Sequence, residues 1–272
     1  MTVKYTLSAA AAVVFMLAGP VSAGNYLLFV HGKGSDACSI STTDSAGKWG
    51  KTDSYGAANK TRSSAAYAKR FVNYHATQDP RTSGSCRAQT QLASAISSFC
   101  TGSNRCVVLC HSAGCYAMDY YFATHTAPAG MLWAVYAGSA TGGSELANLT
   151  TGPLPNNNMT AALRTSTARS FNHNLSPYNL YQTAGYKGAA WSFALPGEDD
   201  DAVSFHSACG YNKTGNMTHC NDGNNAKYTR HVTYCNSRGA LTCNTGKQAY
   251  YGDHSTMQTV GRDAVDRLLG YL

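Results

Sequence analysis

The sequence predicts an α/β fold: a mostly parallel central sheet with helices on both faces, elaborated by cysteine-rich loops. Three observations carry the prediction. Short apolar runs of strand length recur along the chain, as in "YLLFV" (26–30), "CVVLC" (106–110) and "MLWAVYAGSA" (131–140). Segments with apolar residues at helical spacing separate them, and each run ends on small or glycine-containing turns. Strands that alternate with helices pair in parallel and need helices on both sides.

The first residues read as an export leader. Lys4 supplies the charged start, residues 7–17 the apolar stretch, and Val21-Ser22-Ala23 a small-residue cleavage site. That stretch is short for a membrane-crossing helix, and no later segment is long and apolar enough for one, so stable membrane insertion is not expected. The expected mature chain, 24–272, is about 250 residues of the 272, a length that suits one domain. Its expected location is secreted, extracellular or periplasmic.

The elements follow in order. Residues 26–30 form a buried strand closed by "HGKGSD". Helices are predicted around 63–71 and 87–99, the second with Leu92, Ile96 and Phe99 on one side, and a strand at 71–75. Residues 106–110 are the next strand. The stretch after Ser112 carries Tyr116, Met118, Tyr120 and Phe122 without a breaker before Pro128, as a buried helix does. Residues 131–140 and "WSFAL" (191–195) are further strands, and "MQTVGRDAVDRLLGYL" gives a C-terminal helix with Val260, Ala264, Val265, Leu268 and Leu269 on one side. Segments 149–180 and 209–251 break the alternation and read as elaborations of one domain, shaped as walls of a cleft.

All ten cysteines lie beyond the expected cut, where disulfides persist. Cys100 with Cys106, Cys209 with Cys220 and Cys235 with Cys243 would close short loops, and Cys38 with Cys86 a longer one. Zinc is the rival reading for His206, Cys209, His219, Cys220, His231 and Cys235, but no CxxC or HxxxH spacing supports it. The formal charge is +7, or +6 without Lys4, with the basic residues scattered. Nucleic-acid binding would call for a basic patch interleaved with aromatics or a known module, and neither is present.

The chemistry concentrates at "CVVLCHSAGCYAM" (106–118). A serine hydroxyl becomes a useful nucleophile when a tight strand-to-helix turn holds it clear of the sheet beside a base, with small residues around it. Ser112 sits at that point in x-His-Ser-x-Gly; Gly114 is kept, while Cys110 stands where the usual pattern has its first glycine. Cys110 and Cys115 bracket Ser112 and read first as small buried residues, with a disulfide across the turn as the alternative. Two amides must hold a developing oxyanion: those of Ala113, after the nucleophile, and of Lys33 in His31-Gly32-Lys33-Gly34. "LPGEDDDAVSFHSA" offers the acid, with Asp200 three residues after Gly197 and Asp199 and Asp201 as its neighbours. His254 in "YYGDHSTM" is the expected base, and His206, His219 and His231 are the weaker candidates.

These four landmarks, "VHGKG", "CHSAG", "GEDDDAV" and "GDHSTM", resemble the α/β-hydrolase family, in particular its small secreted lipases and esterases. Their order, Ser112 then Asp200 then His254, is that family's order. The resemblance implies attack by Ser112 on an acyl carbonyl, proton transfer by His254, orientation of that ring by Asp200, and an acyl-enzyme cleared by water. It implies no cofactor and no metal, and a small ester or a lipid as substrate. An amidase or acyltransferase would use the same three residues. A catalytically silent, disulfide-stapled binding protein is the reading that the missing elbow glycine favours.

Overall fold

The computed structural model describes residues 23–47, 49, 67–171, 180–185, 190, 191, 193–197, 199–214, 248–250 and 253–269. Among them run seven strands of one sheet: β1 (Asn25–Val30), β2 (Ser39–Ser41), β3 (Ala68–Asn73), β4 (Arg105–His111), β5 (Met131–Ala137), β6 (Leu180–Gly185) and β7 (Gln248–Tyr250). Their order is β2-β3-β1-β4-β5-β6-β7, and every neighbouring pair is parallel except β2 with β3.

Side chains alternate across the sheet, so each apolar run feeds two cores. In β1, Leu27 and Phe29 join Phe71, Val107, Leu109 and Val135 on one face, while Leu28 and Val30 join Val72, Val108 and Tyr136 on the other. Helices α1 (Ala88–Phe99) and α2 (Ala113–Thr124) cover the second face with Leu92, Ile96, Tyr116 and Phe122. Four shorter turns of helix follow: a 3₁₀ turn (Glu145–Asn148), α3 (Asn158–Leu163), α4 (Thr165–Ala168) and α5 (Phe205–Ala208). The first face is closed by α6 (Thr256–Leu268), through Ala264 and Val265. Because β3 lies on one side of β1 and β4 on the other, the chain crosses in opposite senses there. A crevice opens at the carboxyl ends of β1 and β4, the place where such sheets bind ligands.

Two expected elements are corrected. The helix expected at 63–71 is a strand from Ala68 onward, its first four residues lying outside the described ones. Ala, Lys and Arg favour helix locally, but parallel pairing of 68–72 with Tyr26–Val30 overrides that preference. That strand ends at Asn73, short of the expected His75. The strand expected at 191–195 is a turn, with the amides of Ala194 and Leu195 donating to Trp191 O at 2.8 and 3.1 Å; Ser192 lies outside the described residues. Its place in the sheet is taken by β6, and β7 comes from the segment expected to be a loop.

Three disulfides join described cysteines: Cys38–Cys86, Cys100–Cys106 and Cys110–Cys115. The first two match the expected pairs. The third corrects the first reading of Cys110 and Cys115: both are fully buried, but they are bonded to each other. Cys209 is also disulfide-bonded. The expected pairings of Cys209 with Cys220 and of Cys235 with Cys243 fall outside the described residues, as does the expected leader up to Ser22.

Candidate functional site

Ser112 follows the last residue of β4 and caps α2, with φ 55° and ψ −130°. A positive φ is uncommon for a residue with a side chain and needs a surrounding structure that over-determines it. Three features do so. The Ser112 amide donates to Ala137 O at 3.2 Å, while its carbonyl accepts from the amides of Cys115 and Ala140 at 3.0 and 3.1 Å. The Cys110–Cys115 disulfide bridges β4 and α2 across the turn. Finally, β1 ends directly against it: a Cβ on Gly114 would stand 2.6 Å from Val30 O and closer still to His31 O, and one on Gly32 would stand 2.7 Å from Ser112 Cβ. At Gly114 the clash would be with backbone itself, and at Gly32 with the Ser112 side chain, so each glycine keeps the strand end against the turn.

Lys33 and Ala113, whose amides are the expected oxyanion donors, each follow one member of the touching pair Gly32 and Ser112. The amides of Lys33 and Ala113 have no hydrogen-bond acceptor among the described residues. The Lys33 ammonium is also unpaired among them, and burial lowers its pKa to about 8.

Of the three consecutive aspartates, Asp200 meets a histidine. Its Oδ2 accepts from His254 Nδ1 at 2.8 Å, its Oδ1 accepts from the amides of Val203 and Ala202 at 2.8 and 3.1 Å, and its carbonyl accepts from the His254 amide at 2.7 Å. Asp199 and Asp201 serve the loop instead: Asp199 Oδ1 accepts from the Asp201 amide, and Asp201 Oδ1 from the Ala190 amide, both at 2.8 Å. A carboxylate can only accept, so His254 carries its proton on Nδ1 and leaves Nε2 with a lone pair. Burial alone would lower the His254 pKa, but the charge and hydrogen bond of Asp200 outweigh it and raise it above 6.5.

Ser112, His254, Gly32 and Lys33 line one cavity of about 280 Å³, whose other walls include Leu154, Leu163, Ala202 and Val203. Among the described residues the Ser112 hydroxyl makes no hydrogen bond, so hydroxyl and ring share the cavity without a direct link. Such links are often formed only once substrate is bound. Among the weaker base candidates, His206 is engaged elsewhere, 3.1 Å from Glu145 Oε1; His219 and His231 lie outside the described residues. Among the described residues no group of three or more His, Cys, Asp or Glu is arranged to hold a metal ion, and no helix is long and apolar enough to cross a membrane.

Sequence reasoning missed the clamp beneath the acid loop. Glu145 accepts from Arg169 Nη2 at 2.6 Å, Ser207 Oγ at 3.1 Å and, on its other oxygen, Ser204 Oγ at 2.9 Å, so it ties the 3₁₀ turn and α4 to the residues just after Asp200. A lone Glu in "GGSELAN" gives no periodic signal by which to find it. Burial by itself would raise its pKa; the hydrogen bonds from His206, its own amide and Ser204, with the Arg169 charge, hold it down at about 2. A carboxyl whose folded pKa is depressed stabilises the fold fully above its unfolded pKa and loses that contribution as pH falls through the folded value. Glu145→Gln is therefore expected to cost about 2–3 kcal/mol at pH 7, or a Tm lower by about 5–10 °C, with the gap to the parent closing between about pH 4.5 and 2. Thermal melts across that range check it; a gap that does not narrow contradicts it.

No family profile matches the chain, and no curated protein matches it in sequence. Solved structures do match in shape. The mature form of the lipase BlEst2 from Bacillus licheniformis superposes with a TM-score of 0.58 at 17% identity, over 92% of this chain and 93% of that one. Its propeptide form gives 0.57 at 17% identity, over 93% of this chain and 51% of the longer one. At such identity the likeness speaks for architecture, and together with the order of the strands and the strained serine turn it assigns this chain the α/β-hydrolase fold.

Proposed function

We propose that the protein is a secreted serine hydrolase that cleaves carboxylic esters through an acyl-enzyme. The observation that carries the reading is the Asp200–His254 pair opening onto the same cavity as a serine held at positive φ. In the proposed cycle His254 Nε2 takes the Ser112 proton as Oγ attacks the ester carbonyl, and the amides of Ala113 and Lys33 receive the oxyanion. The proton passes to the departing alkoxide, leaving the acyl group on Ser112. Water then attacks that acyl carbon, giving its proton to His254, and the collapse returns the proton to Ser112 and frees the acid. Asp200 stays ionised throughout, holding the ring and balancing its transient charge.

The apolar walls Leu154, Leu163 and Val203 suit the hydrocarbon part of an ester, and the lipase likeness agrees with a lipid or small aliphatic ester as substrate. The leader at 1–23 and the disulfides support export of a single domain, 24–272. Treating the oxidised protein with a fluorophosphonate and mapping the adduct tests the reading. Labelling confined to Ser112, and lost in Ser112→Ala and His254→Ala, is expected; a folded, oxidised protein that takes no label points to a silent binding scaffold. A panel of p-nitrophenyl esters and anilides, with and without an added alcohol acceptor, separates esterase from amidase and acyltransferase.

A further inference from the structure

His111 closes β4 immediately before Ser112 and is buried, its ring 4.6 Å from the ring of His254 between centroids. Both of its nitrogens have partners. Nε2 lies 2.8 Å from His254 O, and Nδ1 lies 3.3 Å from Nε2 of Gln258, in the first turn of α6. A carbonyl can only accept, so Nε2 carries the proton; the neutral ring then offers its Nδ1 lone pair to the Gln258 amide. The edge of Trp49 closes another side at 6.2 Å. Burial first, and then the neighbouring His254 charge, push the His111 pKa well below 6.5, against the pull of the carbonyl.

His254 is thus held at three points. Asp200 takes two of them, the amide and Nδ1, and both belong to the acid loop. The third, the His254 carbonyl, is gripped from the nucleophile's own strand. Resting on the hydrolase reading, we propose that His111 is a positioning residue: its Nε2–H bond to the His254 carbonyl sets how closely the base approaches Ser112. A neutral ring is needed for this role, because turnover places a positive charge on His254 next to it.

The same proportions apply as in any proximity effect, where a misplacement of about 1 Å costs about 10²-fold in rate. His111→Leu, which keeps bulk but has no donor, is expected to lower kcat on a p-nitrophenyl ester by about 10²-fold, with KM within about twofold of the parent. His111→Gln, whose amide can reach the same carbonyl, is expected to recover kcat to within about tenfold. A Leu variant with parental kcat, or a Gln variant no better than Leu, overturns the proposal. Should the Leu variant fail to fold, ¹⁵N-resolved NMR of the parent's imidazoles decides: the hydrogen bond to the His254 carbonyl predicts a neutral Nε2–H tautomer for His111 that persists at pH 6.5, where an ordinary imidazole is half protonated, and an Nδ1–H tautomer overturns it. A parent that takes no fluorophosphonate label would instead sink the hydrolase reading, leaving the NMR result to be read separately.

Discussion

Asp200→Asn is expected to fold like the parent and to hydrolyse esters about 10⁴-fold more slowly in kcat. The two side chains have the same shape, and the Asn oxygen can still accept from the amides of Ala202 and Val203. The other terminal atom now becomes an NH₂ group facing His254 Nδ1, where Oδ2 accepts in the parent. A donor there requires a lone pair on Nδ1, so the proton moves to Nε2 and the ring can no longer take one from Ser112. The pH profile gives an independent check. The raised His254 pKa means that the neutral, active ring is lost as pH falls through a value above 6.5, so the parent's kcat/KM should show an acid limb there. Without the Asp200 charge, the limb of the residual activity should move to lower pH. An Asn variant with parental kcat would remove Asp200 from the mechanism, and Asp199 and Asp201 would be tested in its place.

Gly114→Ala is the second large effect. The added methyl would meet Val30 O at 2.6 Å and His31 O more closely, and both are backbone atoms at the end of a central strand that cannot swing aside. Relief requires β1 and α2 to separate, which shifts the Lys33 amide relative to Ser112. Overpacking of this kind is expected to cost about 3 kcal/mol or more, and the folded fraction should take fluorophosphonate about 10²-fold more slowly. Thermal melts and labelling rates measure the two parts. An Ala variant matching the parent in both would mean that strand and helix do not meet as closely as the structure has them.

The serine turn and its partners were legible because each is a local pattern. An apolar strand, a small-residue apex and a glycine two residues on read out of "CVVLCHSAG" directly, as did "GEDDDAV" and "GDHSTM", whose Asp200 and His254 the structure pairs. What could not be read depends on contacts distant in the chain. Residues 68–71, Ala-Lys-Arg-Phe, carry helix-forming residues and become a strand because β1 pairs with them. "LYQTAG" hides β6 because Gln182 and Thr183 are buried by sheet pairing, which breaks the apolar run that marks a buried strand. Pairing of Cys110 with Cys115 was undecided for a related reason: five residues apart across a strand-to-helix junction, they meet only because the apex between them takes a positive φ. His111 was legible as a neighbour of Ser112, but its grip on a carbonyl 143 positions away was not.

The link between Cys110 and Cys115 makes the segment around the apex a closed hexapeptide ring, with the strand's last turnings and the helix's first welded at their roots. Beside the glycine at 114, which lets strand and helix crowd together, this chain carries a covalent tether across the same turn. It follows that a thiol-rich milieu would yield a scaffold lacking this brace.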